Sequence, residues 1–142
     1  MAGTDGSAYN LNDPLSKASG ITVNAKVRTY RNVFNFADAG VGGTTAPLLC
    51  ARLPRGCVVV ATRYASTENL SGSNQSIGIA GTPAKYAAAA AGPAAGATRR
   101  VDVPVAALAG APLTTEEDVI LTPAANWPAS GTLVTFIDVI KR

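Results

Sequence analysis

The sequence predicts an all-β protein, an antiparallel β-sandwich with jelly-roll-like connections and an extended N-terminal arm. About six to nine short segments with strand patterns recur at spacings of about ten residues, as in sandwiches and jelly rolls. Turn-forming residues separate these segments, and the chain contains 14 Gly and 9 Pro. No segment has the sustained periodicity of a long amphipathic helix.

The composition fits one domain whose surface carries little charge. A chain of 142 residues buries roughly 70% of its unfolded surface on folding, so it needs no disulfide or metal to fold. Only 15% of its residues are charged, against roughly 25% in ordinary globular proteins. Much of the surface is therefore small and neutral, which suits coverage by neighbouring proteins.

Residues 1–20 are predicted to form an extended arm outside the core, because they show neither strand nor helix periodicity. Tyr9, Leu11 and Leu15 are spaced along this arm and favour its docking on a partner. Terminal disorder is the alternative interpretation. Residues 21–142 are predicted to form a single β-sandwich domain.

The domain begins with a predicted half-buried strand over residues 21–28, where apolar and polar residues alternate. In residues 29–37 the aromatic residues all have even numbers and would share one face of a strand, whereas the apolar Val33 has an odd number and would lie on the other face. This pattern predicts a bulge, or a strand that changes sheets, with the aromatic side chains in the core. Residues 47–53 form a short strand with the odd-numbered apolar residues on one side.

Residues 53–64 are predicted to form a turn followed by the central strand of a sheet. Pro54 and Gly56 favour a turn, and consecutive β-branched residues follow it. If strands pair across this turn, Cys50 and Cys57 can face each other, so a disulfide is geometrically possible. Two buried thiols in a strand pair are favoured, because disulfides are rare in cytosolic proteins.

The later segments complete the predicted sandwich. Residues 76–81 form a short strand whose glycines imply a bulge or a close backbone approach. Residues 82–91 are predicted to form one or two helical turns that begin at Thr82-Pro83. The alternative is an irregular Ala-rich segment that crosses between strands. Residues 99–105 form an edge strand, because the proline within them cannot donate to a ladder. Residues 119–122 and 132–140 are predicted to pair as a closing antiparallel hairpin.

No residue pattern indicates catalysis or a cofactor. The sequence has no His, which removes the commonest general base and the triads built on it. In Glu116-Glu117-Asp118 adjacent side chains point apart on an extended chain, so a solvated loop fits better than a catalytic carboxylate pair. A calcium site using this run and Asp102 is disfavoured, because the sequence has no spaced oxygen-ligand loop of the EF-hand kind. Cys50 and Cys57 alone do not close a zinc site. We predict a non-enzymatic protein without cofactors.

Charge and hydropathy argue against nucleic acid and membranes as partners. The net charge is +3, but the basic residues are scattered in ones and twos, whereas phosphate binding needs clustered cations. No window approaches the roughly 20 apolar residues of a membrane span. The first residues show neither the basic start nor the apolar segment of a signal peptide, so none is expected. We expect synthesis in the cytoplasm.

The candidate interface residues are those whose chemistry suits protein contacts. Arg captures carboxylates in a bidentate fashion and is frequent in hot spots, although single surface arginines mostly solvate a strand face. Trp127 lies in a Pro-bounded loop, where it either caps the end of the sandwich, the favoured interpretation, or anchors a neighbour. The candidates are Tyr9, Leu11, Leu15, Arg28, Arg31, Arg52, Arg55, Arg99, Arg100 and Trp127.

In overall style, residues 20–142 resemble the small head decoration, or cement, proteins of tailed double-stranded DNA bacteriophages, including the Bordetella-phage type. The resemblance is carried by a polar arm and by four segments. These are the arginine-bearing strand 27–31, the turn 53–56 into a Val-rich strand, the passage 79–90, and the hairpin through 131–133.

The resemblance implies a jelly-roll-like sandwich that binds the outer surface of the phage head and stabilises contacts between major capsid protein subunits. It implies a virion protein on the capsid exterior, synthesised in the host cytoplasm. We expect the major capsid protein and copies of the chain itself, as a homodimer or homotrimer, to be its partners. The alternative is a carbohydrate- or receptor-binding β-sandwich of a phage fibre or head spike, against which the sparse aromatic residues argue.

Overall fold

A computed structural model describes residues 27–141, which contain eight β-strands and one short helix. The predicted arm over residues 1–20 lies outside the described residues, as does most of the predicted strand 21–28. The elements are β1 (Val27–Asn35), β2 (Leu48–Leu53), β3 (Cys57–Ser66), β4 (Asn74–Ile79), β5 (Thr82–Ala91), β6 (Thr98–Asp102), α1 (Val105–Leu108), β7 (Glu117–Pro123) and β8 (Thr132–Lys141).

The strands form two four-stranded antiparallel sheets. Sheet A has the order β1-β8-β3-β6, and sheet B has the order β2-β7-β4-β5. Among strands consecutive in the chain, β4 and β5 pair within one sheet, and every other connection crosses from one sheet to the other. Eight strands connected in this way form a jelly roll, so the predicted all-β sandwich is confirmed.

The turn before β3 joins the two sheets. β3 is an inner strand of sheet A, as predicted, but β2 lies in sheet B, so the two strands do not pair. Gly56 makes the crossing possible with a φ of 89°. Cys50 and Cys57 are both free and buried, which matches the favoured thiol state but not the strand pair. Burial raises the pKa of the Cys50 thiol to about 12, so it stays protonated.

The predicted closing hairpin is wrong, because β7 belongs to sheet B and β8 to sheet A. The loop over residues 124–131 crosses the end of the sandwich and is fixed at Trp127. The backbone N–H of Trp127 donates to the Thr44 carbonyl at 2.8 Å, and the Trp127 carbonyl accepts from the Gly43 N–H at 2.9 Å. These two bonds tie the crossing loop to the β1–β2 connection.

β1 contains no bulge and does not change sheets, contrary to prediction, because its register with β8 is unbroken along its length. Val33 points outward and is 44% exposed. Tyr30 and Phe34 are half-buried against the core, and Phe36 is fully buried just after the strand. The aromatic residues therefore reach the core by plain alternation.

A register shift occurs instead in β2, between Leu49 and Ala51. It leaves Leu49 exposed while Ala51 and Leu53 stay buried, so the prediction of one odd-numbered apolar side fails at Leu49. An extra residue in one strand of a pair reverses the facing of the residues that follow, and composition does not mark where it occurs.

Residues 82–91 form an edge strand of sheet B, so both the predicted helix and the predicted irregular crossing are wrong. Pairing with β4 and burial of Tyr86 and Ala87 outweigh the helix propensity of alanine, since a helix this short is marginal alone. The predicted close approach at Gly78 is confirmed, because a Cβ there would lie 2.3 Å from the Thr82 carbonyl oxygen.

A polar side chain bridges the two sheets at each lateral side of the sandwich. On one side Asn32 of β1 donates from Nδ2 to the Leu49 carbonyl of β2 at 2.9 Å. On the other side the Arg99 guanidinium of β6 donates to the carbonyls of Ala88 and Ala90 in β5 at 3.1 and 3.3 Å. β6 is an edge strand, as predicted, and each of these bridges links one edge strand to another.

The core lies between the sheets and is built from their inward faces. Tyr64, Phe36, Leu53, Ile77 and Leu121 are the largest of its fully buried side chains. Within residues 27–141 no helix is long and apolar enough to cross a membrane.

Candidate interface on the outer face of sheet A

The outer face of sheet A carries side chains in rows that run across the strands. Because successive side chains of a strand point to opposite faces, the strand register identifies which residues share a row. In the order β1, β8, β3, β6, the arginine row holds Arg31, Phe136, Arg63 and Arg100, and the adjacent aspartate row holds Thr29, Asp138, Ala61 and Asp102.

Apolar residues flank these two rows. Val33 and Val134 face each other beyond the arginine row, and Val27 and Ile140 face each other beyond the aspartate row. Val27 is 60% exposed, and Val134 and Ile140 are partly exposed. The outer face of a sandwich is ordinarily polar, so a sheet face with these residues is suited to contact another protein.

One ion pair organises the middle of this face. Asp138 is only 9% exposed, although it points away from the core. Its carboxylate accepts from the Thr29 hydroxyl at 2.6 Å and from Arg63 Nη1 at 3.1 Å. The Arg63 guanidinium also lies 4.7 Å from the centre of the Phe136 ring, within cation–π range. Arg63 is thus held in place before any partner arrives.

Arg31 and Arg100, two of the candidates from the sequence, extend from the arginine row. Both are exposed, and neither forms an ion pair within residues 27–141. Asp102 is likewise exposed and unpaired among the described residues. It is two residues from Arg100 on the same strand, roughly 7 Å along β6. These three charges remain available to a partner.

The outer face of sheet B differs, because its main cation is already neutralised. Arg52 Nε donates to Asp118 at 2.8 Å, Nη2 reaches the other Asp118 oxygen at 3.3 Å, and Glu116 lies 3.6 Å away. This bidentate contact lowers the pKa of Asp118 and raises that of Arg52. The acidic run predicted as a solvated loop therefore includes two carboxylates engaged by one arginine.

Arg99 has a role inside the molecule. Its Nη1 donates to the Tyr64 hydroxyl at 2.9 Å and to the Gln75 carbonyl at 3.0 Å, in addition to its bonds to β5. The Tyr64 hydroxyl in turn donates to Gln75 Oε1 at 2.8 Å. With its guanidinium committed to these acceptors, Arg99 is a link between the sheets and does not fit the interface role expected from the sequence.

Trp127 caps the loop end of the sandwich and is 3% exposed. Its ring stacks on Phe36 with centroids 5.8 Å apart, and its indole N–H donates to the Ala46 carbonyl at 2.9 Å. The cap interpretation fits this position. The anchor interpretation does not, because almost no indole surface is open to a neighbour.

The remaining candidates do not join the outer face of sheet A. Arg28 lies on β1 with the opposite parity to the arginine row, and Arg55 lies in the turn between β2 and β3; both are exposed. Tyr9, Leu11 and Leu15 lie outside the described residues.

A partly buried polar contact near the start of β7 involves Glu117, the remaining residue of the acidic run. Glu117 accepts from Lys85 Nζ at 2.7 Å and from the Tyr86 hydroxyl. Burial, with the nearby carboxylate, raises the pKa of Tyr86 far above its usual value. Within residues 27–141 no group of three or more His, Cys, Asp or Glu side chains is placed to hold a metal ion.

The sequence alone did not indicate four other residues of this candidate interface: Arg63, Asp138, Phe136 and Asp102. The alternation of β8 marks Phe136 and Asp138 as sharing a face, opposite to the core residues Leu133 and Ile137. That signal was present in the sequence. What was absent was the strand order, which places residues from four distant segments side by side.

Comparison with solved structures finds the same fold in two phage capsids. A chain of the cyanophage Pam1 capsid asymmetric unit is 18% identical and aligns with a TM-score of 0.58 over 83% of this chain and 86% of that chain. A chain of the Ralstonia phage GP4 capsid is 15% identical, with a TM-score of 0.57, over 83% of this chain and 84% of that chain. At these identities the likeness shows a shared fold.

The matched capsid chains are close to this chain in length, because nearly equal fractions of both chains align. The sequence matches no family model and none of the curated proteins.

Proposed function

We propose that this chain is a non-enzymatic capsid decoration, or cement, protein of a tailed bacteriophage. It binds the outer surface of the head and stabilises contacts between major capsid protein subunits. Its partners are the major capsid protein and further copies of itself, and it resides on the exterior of the virion. The observation that carries this proposal is the jelly-roll likeness to phage capsid chains of nearly the same length.

The surface supports a role in contacts between proteins. The outer face of sheet A combines exposed Val27 and Val33 with Arg31 and Arg100, which form no ion pair within the described part of the chain. Such a mixture is typical of interfaces, in which apolar residues exclude water and arginines capture carboxylates. Many copies on a symmetric shell make weak contacts effective through multivalency, so no deep pocket is required.

The carboxylates also fit a structural role. Asp118, Glu117 and Asp138 are each held by a basic side chain, and the Arg52 contact keeps the pKa of Asp118 low. A general acid needs a raised pKa near the working pH, which is the opposite of this shift. These ion pairs stabilise the sandwich and its surface.

The test is reconstitution on shells of the virus that encodes this chain. Expanded heads lacking the protein are incubated with the purified chain, sedimented and imaged by electron cryomicroscopy. We expect stoichiometric binding at lattice positions outside the shell and an increased temperature of head disruption. The control uses shells of an unrelated phage, which should neither bind the chain nor gain stability. Failure to bind the cognate heads at micromolar concentration would contradict the proposal.

The receptor-binding alternative has a weaker structural basis. A cavity of about 150 Å³ at the loop end has Asn69, Ser73, Asn126 and Trp127 among its lining residues, but the Trp127 ring stacks on Phe36. Tyr and Trp are enriched at binding interfaces, but Trp127 is buried and its ring is not open to a ligand. Binding to glycans or host cells, with no binding to heads, would favour the alternative and overturn the proposal.

A further inference from the structure

The rows on the outer face of sheet A are arranged symmetrically about one line. Tyr30, Ile137, Thr62 and Val101 are in register across β1, β8, β3 and β6, and they point toward the core. On the opposite, outward side, the aspartate row and the arginine row lie one residue to either side of this line. On β1 and β8 the apolar pairs Val27–Ile140 and Val33–Val134 lie three residues from this line, one pair on each side.

We propose that this face binds the same face of a second copy of the chain, about a two-fold axis that runs along that line. A two-fold axis parallel to the sheet exchanges the two sides of the line and places each strand over its own counterpart. The arginine row of one copy then lies over the aspartate row of the other. This inference does not depend on the capsid proposal.

The charges are complementary in this arrangement. Arg100 of one copy lies over Asp102 of the second copy, and the symmetry makes the same pair twice. Both residues are exposed and without an ion pair among the described residues, so neither must break an existing bridge. On sheet B, by contrast, Arg52 already binds Asp118 within one copy. Arg100 and Asp102 therefore favour the outer face of sheet A over that of sheet B as the surface that binds the second copy.

The side-chain sizes are complementary as well. Each long side chain of the arginine row meets a shorter one: Arg31 lies over Thr29, Phe136 over Asp138, and Arg63 over Ala61. At the two ends of the rows, Val27 lies over Val33 and Ile140 lies over Val134. Large side chains opposite small ones, with apolar contacts at the ends, allow two sheet faces to approach closely.

The size of the face is compatible with a weak dimer. With strands about 4.8 Å apart and about 3.4 Å per residue, the paired parts of the four strands cover about 500 Å², or about 1,000 Å² for two copies. Stable interfaces bury about 1,200–2,000 Å² in total, so the pair falls just below this range. We therefore expect a concentration-dependent dimer in the micromolar range.

The test measures self-association of the full chain by sedimentation velocity across the micromolar range. Wild type should form dimers, and Arg100→Asp or Asp102→Arg alone should weaken dimerisation at least about tenfold, because each places like charges opposite one another. The double variant R100D/D102R should dimerise like wild type. An equimolar mixture of the two single variants should form a heterodimer, because each then supplies the charge that the other lacks.

The matched control is Arg55→Asp, which makes the same charge change on the exposed turn between β2 and β3 and should leave dimerisation unchanged. Circular dichroism confirms that each variant is folded. A monomeric wild type would overturn the proposal. So would a dimer that R100D and D102R leave intact, or a mixture of the single variants that stays monomeric. Wild type that remains monomeric but binds heads would overturn this inference while leaving the capsid proposal standing.

Discussion

Replacing Arg99 tests whether one side chain fastens the two sheets together. We expect Arg99→Met, which keeps the length of the side chain, to remove four hydrogen bonds. The acceptors on Ala88 and Ala90 are exposed, so water replaces those two bonds at little cost. The other two end on the buried Tyr64 hydroxyl and the carbonyl of buried Gln75. At about 1.5 kcal/mol each, their loss lowers the free energy of unfolding by about 3 kcal/mol.

Urea denaturation at low protein concentration measures this loss. The fluorescence of Trp127 is a suitable probe, because the chain contains 1 Trp and it is buried. With a urea m-value of about 2 kcal/mol/M, the midpoint should fall by about 1.5 M. Arg99→Lys should lose an intermediate amount, because a single ammonium cannot reach acceptors on both sheets.

Arg55→Met is the control for this experiment, since Arg55 is an exposed turn residue without an ion pair in the described part of the chain. Its midpoint should stay within about 0.3 M of wild type, as expected for a surface substitution. If Arg99→Met lowered the midpoint no more than Arg55→Met does, the assignment of Arg99 as the link between the sheets would be refuted.

Two further predictions follow from local geometry and charge. Gly78→Ala should lower the free energy of unfolding by about 2 kcal/mol or more, because its Cβ would lie 2.3 Å from the Thr82 carbonyl oxygen; Gly72→Ala, with nothing within 4 Å, should change it by less than about 0.5 kcal/mol. Equal losses in both variants would contradict this. The Arg52 contact lowers the folded pKa of Asp118, so its stabilising effect is complete above the unfolded pKa of about 3.9 and disappears as pH falls through the lower folded pKa. A carboxyl NMR titration should show the pKa of Asp118 returning toward its ordinary value in Arg52→Ala, and an unchanged titration would count against the contact.

Local patterns predicted the strands and their faces better than the partners of the strands. The alternation of β8 separates Leu133 and Ile137 from Phe136 and Asp138, and in the structure the first pair packs in the core while the second pair lies on the outer face. The same alternation does not specify which sheet a strand joins. A strand buries the same residues whichever of the two sheets it joins. The predicted β7–β8 hairpin is therefore wrong, although both strands were correctly predicted.

The Ala-rich segment shows how long-range contacts override propensity. Alanine favours helix, and the Thr82-Pro83 start favours a helix N-terminus. Backbone pairing with β4 and burial of Tyr86 decide for a strand, and neither is visible in residues 82–91 by themselves.

Two of the candidate residues from the sequence, Arg31 and Arg100, lie on the outer face of sheet A, and their contact with a partner stays a prediction. Arg31 and Arg100 were selected from the sequence because arginine suits protein contacts, and both are exposed on one sheet face. Arg99 was selected for the same reason, yet the alternation of β6 turns it inward, next to an outward Arg100. Asp102 was not selected, because its relation to the arginine row depends on a register that only the folded chain defines.

The bridges at the two lateral sides of the sandwich have a consequence for solubility at high local density. Unpaired strand edges are templates for uncontrolled addition of strands from other molecules, which leads to aggregation and fibres. Asn32 bonds one carbonyl of β2 and Arg99 bonds two carbonyls of β5, so three backbone acceptors along these margins are unavailable to a strand of another molecule. At high local concentration these bonds would protect the protein against growing into a continuous sheet.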